Sequence, residues 1–305
     1  MLALLAPGQG SQTPGMLQSW LSDNQLRDQL SEYSSAINVD LEHLGVHADA
    51  EEIKDTANAQ PLIVAASLLS AHALNLSGKF SFVAGHSVGE ISAAAIAGVI
   101  SDRDAMTLVR ARGLEMAKAA AISPAGMSAV LGGDRDVVLA AIEELGLVAA
   151  NDNGGGQIVA AGNVDALSQL APVGARVRPL AVAGAFHTSF MQPAVAPLRT
   201  LVQSLTAHTP HVGVISNRAG EVVTDGRDVL DRIVTQIANP VRWDLCMQQL
   251  VAQGVTGVIE VAPAGTLTGL IKRAAPTIEQ FALKNLADLA SAREFAQRHG
   301  GNAHG

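Results

Sequence analysis

Phe80-Ser81-Phe82-Val83-Ala84-Gly85-His86-Ser87-Val88-Gly89-Glu90 runs from an apolar stretch through Gly-x-Ser-x-Gly into an alanine-rich helical pattern. The pattern predicts a strand, a sharp turn and a helix. A serine held at a strained strand-to-helix turn needs neighbours without Cβ atoms, or the two elements collide. Such a turn lifts the hydroxyl out of the sheet and sets it at a helix N-terminus, where free N–H groups and the macrodipole favour developing negative charge. Taken alone, the same residues also describe an ordinary tight turn with a chance serine, so the rest of the chain has to decide.

Leu2 to Ala6 forms a second continuous apolar run, as expected of a buried parallel strand. It breaks at Pro7-Gly8-Gln9-Gly10-Ser11-Gln12, a glycine-rich loop without the Lys-Ser/Thr of a phosphate-binding loop or the spacing of a dinucleotide fingerprint. Its glycines let a backbone N–H approach a ligand, and a generic strand-to-helix loop fits equally. Helical patterns are read from near Met16, over 26–37 and 61–74, and from the elbow to about Ile100. Ser101-x-x-Asp104 resembles a capping box that opens a helix over 102–121. On that helix Ala105, Leu108, Val109, Met116 and Ala119 share one face, and Arg112 sits in its middle. A cation on a buried stripe is either paired with a carboxylate or aimed at an anionic ligand.

From Gly126 the elements shorten. Strands are expected over 127–131, 148–150, 157–161 and 177–182, with helices over 134–145 and 164–170. This βαββαβ order is the ferredoxin-like pattern, read as a small domain of residues 125–188 inserted between 1–124 and 189–305. Asn153-Gly154-Gly155-Gly156 reads as a hairpin turn. The remaining pattern gives a helix to about Ala207, a strand over 212–216, helices over 228–237 and 244–253, and a strand over 255–261. A helix over 265–275, a strand over 281–283, a helix over 286–298 and a disordered tail from Gly300 complete the chain.

The 305 residues are 48% hydrophobic, 16% charged and only 3% aromatic, which gives a large aliphatic core. A net charge of −8 without a basic run, and so few rings to stack on bases, argue against nucleic-acid binding. The single cysteine, Cys246, excludes an internal disulfide framework and reads as helix packing. No apolar run reaches the roughly 18 residues of a membrane span, and no leader pattern opens the chain. We expect a cytoplasmic protein that binds no membrane.

An elbow serine needs a base. Seven of the nine histidines (His43, His47, His72, His208, His211, His299, His304) lie in polar contexts expected at the surface. His86 adjoins the serine but should point away from its hydroxyl. His187, in Gly184-Ala185-Phe186-His187 at the end of an apolar strand, is the best candidate by position. No acidic residue suggests itself as a third member, so a Ser-His dyad steadied by a backbone carbonyl is expected.

Together these segments resemble the malonyl-CoA:acyl carrier protein transacylase family, related to the acyltransferase domains of polyketide synthases. The resemblance runs from Leu2 to about Leu283. It is carried by Pro7–Gln12, by Gly85–Glu90, by Arg112-Gly113, by Gly184–His187 and by Gln236-Ile237-Ala238-Asn239-Pro240-Val241, with Pro263–Leu270 as a further similar segment. Gly184 stands where malonyl-selective polyketide domains usually carry histidine, and Ala262-Pro263-Ala264-Gly265 is less glycine-rich than the family's version. The resemblance implies an α/β fold: an α/β-hydrolase-like large domain with a ferredoxin-like insertion and a site between them. It implies Ser87 as nucleophile, His187 as base, and the main-chain carbonyl of Gln236 as the group that holds His187. The N–H groups of Gln9 and Val88 would form the oxyanion hole. Arg112, Phe186 and Gln9 would bind substrate, with Arg112 on the malonyl carboxylate. It further implies malonyl-CoA and holo-acyl carrier protein as partners, no metal or redox cofactor, and a monomer serving fatty-acid synthesis, with polyketide synthesis as a second destination of the extender. A malonyl transferase that loads malonate decarboxylase, a serine esterase or thioesterase, and a non-catalytic scaffold are the alternative readings of the same residues.

Overall fold

The computed structural model describes residues 1–76, 78–182 and 184–300. β1 (Leu2–Ala6) is buried along its whole length, because both faces of the sheet it occupies are covered. Strand alternation assigns each residue to a layer. Leu2 and Leu4 enter the core on one face, and Ala3 and Leu5 enter the core on the other. Helices α1 (Asn24–Ile37) and α2 (Thr56–Leu74) follow, then β2 (Phe82–Gly85), α3 (Gly89–Ile96) and α4 (Asp102–Ala120). β2 lies parallel to β1 with Val83 beside Leu4.

The next six elements are β3 (Ala125–Gly132), α5 (Arg135–Glu144), β4 (Val148–Asp152), β5 (Gln157–Asn163), α6 (Val164–Gln169) and β6 (Ala175–Pro179). After them come α7 (Gln192–Ser204), β7 (Gly213–Ile215), β8 (Val222–Val223), α8 (Gly226–Gln236), β9 (Val241–Arg242) and α9 (Trp243–Ala252). β10 (Gly257–Glu260), α10 (Thr266–Ala274), β11 (Glu279–Ala282) and α11 (Leu289–His299) close the described chain.

The larger sheet has the order β11-β10-β1-β2-β7-β8, parallel except for the β7–β8 edge pair. α9 and α10 cover one face through Trp243, Cys246, Leu250, Leu267 and Ile271. The other helices outside β3–β6 contribute to the core on the opposite face. The smaller sheet has the order β6-β3-β5-β4-β9, antiparallel except for β4–β9. Val130, Ile158 and Ala160 pack under α5 and α6, whereas Met127 and Val159 point the other way, toward the large core. The chain is thus a mixed α/β protein with two sheets.

Several elements depart from the sequence reading. No helix starts near Met16; turns lead to a short 3-10 segment at Trp20–Ser22. α2 begins five residues before Pro61, with Asp55 accepting from the N–H of Ala57. α3 stops at Ile96 because Gly98, at φ 78°, turns the chain back. β6 ends at Pro179 rather than Val182: Leu180 still donates to Met127 O at 2.9 Å, but Val182 then donates back to Leu180 O at 2.9 Å and the chain turns away. β9 joins the small sheet by pairing Val241 with Asn151, 90 residues earlier, a pairing no local pattern announces. His299 is buried: its ring lies over Gly257, where a Cβ would come within 2.4 Å of it, and Nδ1 meets Thr256 Oγ1 at 3.0 Å. His304 and the tail from residue 301 lie outside the described residues.

Candidate active site

The elbow forms where β2 meets α3. Ser87 has φ 53°, in the left-handed region that a residue with a side chain occupies only when its surroundings hold it there. Those surroundings require glycine. A Cβ on Gly85 would lie 2.0 Å from the carbonyl of Gly89, and one on Gly89 would lie 2.2 Å from the oxygen of Ala6. Asn217, just past β7, fastens the turn from the neighbouring strand. Its Oδ1 accepts from the N–H of Ser87 at 2.8 Å, and its Nδ2 donates to Gly85 O at 2.7 Å.

His187 also has a left-handed backbone, at φ 61°. Its Nε2 lies 2.7 Å from Ser87 Oγ and its Nδ1 2.9 Å from the main-chain oxygen of Gln236. A carbonyl only accepts, so Nδ1 carries the proton and the Nε2 lone pair faces the hydroxyl. Gln236 ends α8, where helix carbonyls lack an internal partner, and one is available for the ring. Burial, and then the nearby charge of Arg112, push the imidazole pKa down to about 3, so the ring is neutral at ordinary pH.

Arg112 is only 2% exposed. Nη1 donates to Gln60 Oε1 at 2.6 Å; Nη2 donates to Gln236 Oε1 at 2.9 Å and approaches Ser87 Oγ at 3.3 Å. All three acceptors are neutral, and among the described residues Nε has no hydrogen-bond partner and Arg112 makes no ion pair. Burial lowers its pKa to about 10, against the attraction of Glu90. Glu90, on the first turn of α3, is itself buried, and burial pushes its carboxyl up to about 7. It accepts from the N–H of Asn217 at 2.6 Å and from Gln236 Nε2 at 2.5 Å.

Ser87, His187, Arg112 and Gln60 open on a cavity of about 440 Å³ at the C-terminal ends of β1 and β2. Met127, Ala129 and Val159 of the small sheet form one wall, and Leu267 and Leu270 of α10 another. The buried Glu260 holds that last wall by accepting from the N–H groups of Gly265, Leu267 and Thr268 at the start of α10. Gln9 and Phe186 both line the cavity, and Gln9 Oε1 accepts from Thr56 Oγ1 at 2.8 Å. Val88 is buried as the first residue ahead of α3. The structure therefore gathers Ser87, His187, Arg112, Gln9 and Phe186 around one space, with Gln236 bonded to Arg112 and His187 behind its wall and Val88 next to Ser87.

His86 turns its Nε2 to Asn153 Oδ1 at 2.8 Å and packs edge-on to Trp243, away from the Ser87 hydroxyl as expected, though it still lines the cavity. Asn217, Gln60, Glu90 and Asn153 escaped the sequence reading. Glu90 carried a signal: it is a lone acid opening the apolar run Ile91–Ile96. Asn217 carried a weaker one, a polar residue directly after an apolar strand. Cys246 is buried in α9, and its Sγ meets Ser216 O at 3.4 Å.

Residues 4–297 match the model of the acyl transferase domain family. The malonyl CoA-acyl carrier protein transacylase of Mycobacterium tuberculosis H37Rv is 52% identical over 296 residues, covering 95% of this chain and 98% of the relative. The crystal structure of MCAT from Mycobacterium tuberculosis superposes with a TM-score of 0.93 at 51% identity, covering 96% of this chain and 99% of that one. A malonyl-transacylase solved in complex with a type II polyketide-synthase acyl-carrier protein gives 0.90 at 31% identity, with coverage of 96% and 99%.

Proposed function

The chain belongs to the acyl transferase domain family, and we infer that it transfers malonyl from malonyl-CoA to the phosphopantetheine thiol of acyl carrier protein. The observation that carries the substrate is Arg112, a buried guanidinium without a carboxylate, 3.3 Å from the candidate nucleophile. A buried cation held only by neutral acceptors is left to be completed by an anion, and the free carboxylate of malonyl is such an anion.

In the proposed reaction His187 Nε2 takes the proton of Ser87, and Oγ attacks the thioester carbonyl. The backbone N–H groups of Gln9 and Val88 hold the tetrahedral oxyanion, helped by the N-terminus of α3. The imidazolium returns its proton to the departing thiolate of CoA, and a malonyl ester remains on Ser87. The carrier thiol gives its proton to His187, attacks that ester and restores the serine. Phe186 borders the acyl group, and the main-chain carbonyl of Gln236 keeps the imidazole in place throughout.

The order β6-β3-β5-β4, with α5 and α6 on one face, supports reading residues 125–188 as a ferredoxin-like insertion. Residues 1–124 and 189–305 then make up an α/β-hydrolase-like domain.

The test is intact mass after mixing with malonyl-CoA, with and without holo-acyl carrier protein. One malonyl adduct that disappears as the carrier gains it is expected, and Ser87→Ala should carry none. Free malonate formed without a carrier would mean a hydrolase, and an adduct on Ser87→Ala would move the nucleophile elsewhere.

A further inference from the structure

The side-chain amide of Gln236 has two unlike ends, and the network around it accepts only one orientation. Its Nε2 faces three acceptors: Glu90 Oε2 at 2.5 Å, Ser87 O at 3.1 Å and Asn217 Oδ1 at 3.1 Å. Its Oε1 faces the Nη2 donor of Arg112 at 2.9 Å. Turned over, the amide would set its NH2 against a guanidinium and its oxygen against three oxygens. Of the three acceptors only Glu90 is a carboxyl group, and its contact is the shortest of the three. Glu90 is anchored in turn by the N–H of Asn217, the residue that also holds the Ser87 N–H.

We propose that Glu90 is a positioning residue for malonyl selectivity: it locks the Gln236 amide so that the amide oxygen holds the Arg112 guanidinium toward Ser87. The arrangement separates two tasks. A carboxylate bonded directly to Arg112 would fill the fork meant for substrate. With the neutral amide interposed, the acid fixes the guanidinium's orientation without neutralising it, and its charge stays available to the incoming anion. The same residue steadies the elbow through Asn217, so the nucleophile and the carboxylate-binding group share one anchor.

This proposal rests on the malonyl reading above, and Glu90→Gln tests it. The new amide keeps the shape of glutamate, and its oxygen can still accept from the N–H of Asn217. Its nitrogen then faces Gln236 Nε2, donor against donor, so the Gln236 amide must turn and repel Arg112. Full-length native and variant proteins are acylated with malonyl-CoA and with acetyl-CoA, and kcat/KM for each is read by intact mass. The malonyl-to-acetyl ratio should fall about tenfold to a hundredfold in Glu90→Gln, mostly through a higher KM for malonyl-CoA. A ratio that is unchanged, including one where both rates fall together, overturns the positioning role while a malonyl-selective native protein keeps the functional reading intact. A native protein without malonyl preference overturns that reading and the proposal with it. If Glu90→Gln does not fold, Glu90→Asp carries the test: it keeps the charge, withdraws it by one methylene and should lower the same ratio. Failure of both to fold would assign Glu90 to the core alone and overturn the proposal.

Discussion

His187 Nδ1 donates to the main-chain carbonyl of Gln236 at 2.9 Å, where a serine-protease triad places a carboxylate. A carbonyl fixes the tautomer and the ring plane but brings no negative charge. Little at that nitrogen then counters burial and the Arg112 charge, the two largest influences that hold the imidazole near 3. In the proposed reaction the substrate supplies the correction. A carboxylate seated on Arg112 cancels part of its field, and His187 becomes more basic when malonyl-CoA is bound.

The pH dependence follows with a definite sign. The base works when neutral, and its pKa lies below the ordinary 6.5. Acetylation of Ser87 by acetyl-CoA should therefore persist as pH falls through 6.5 and fail only well below it. Acetyl-CoA is the right probe, because burial pushes the Glu90 carboxyl up to about 7 and this probe removes the part of its effect that is proposed to run through Arg112 to the malonyl carboxylate. Arg112→Ala removes the second cause of the shift but not burial, the first, so its acid limb should move up without reaching 6.5. Single-turnover acylation across the pH range measures both limbs; a native limb at 6.5 would contradict the buried, neutral base.

The elbow predicts a stability effect of its own. Gly89→Ala places a methyl 2.2 Å from Ala6 O and 2.8 Å from Pro7 O, and both are backbone atoms of the central strand and its loop. Neither can move without opening the β1–β2 pair. The loss should be roughly 3 kcal/mol or more, the upper end for overpacking, and denaturant unfolding reads it. A loss below about 1 kcal/mol would mean that the turn relaxes more easily than its contacts allow.

The elbow was legible because its glycines answer a local steric demand, and Arg112 because a cation breaks an apolar stripe at a fixed helical spacing. Local patterns cannot show what distant segments contribute. Asn217 reaches Ser87 across 130 residues, and β9 enters the small sheet from a segment that reads only as a helix boundary. His299 was misread for the same reason: the glycine that makes room for its ring lies 42 positions earlier, on β10. Gln60 and Glu90 stood in plain view, but their importance comes from the Arg112 fork that they help to hold.

Phe186, 7% exposed, lines the main cavity and also a neighbouring one of about 560 Å³ walled by Ala117, Ala120 and Ala121. A methyl branch on the acyl α-carbon would crowd the ring, at roughly 1–3 kcal/mol of overpacking. The native protein should therefore favour malonyl-CoA over methylmalonyl-CoA. Phe186→Ser, by opening the partition between the cavities, should narrow the gap. Competition between the two thioesters, read as adduct masses on Ser87, gives the ratio; equal native rates would remove Phe186 as the discriminating group.

Arg112 carries the decisive prediction. Its neutral partners Gln60 and Gln236 orient a fork without neutralising it, and Nη2 already stands beside Ser87 Oγ. A carboxylate bound there in two-pronged fashion would also fix the thioester carbonyl relative to the serine, so the loss removes positioning as well as attraction. Each charge-assisted hydrogen bond is worth about 1.5–3 kcal/mol, so Arg112→Ala should lower malonyl kcat/KM by tenfold to several hundredfold. Acetyl-CoA has no carboxylate to lose, and its transfer should stay level or rise once a bulky cation leaves the cavity. Arg112→Lys restores charge but not the planar fork, and it should recover only part of the malonyl rate. Kinetics of both thioesters with native, Arg112→Ala and Arg112→Lys proteins decide the matter. A malonyl-to-acetyl ratio that does not move in Arg112→Ala would make this arginine a packing element and take away the physical basis of malonyl selection.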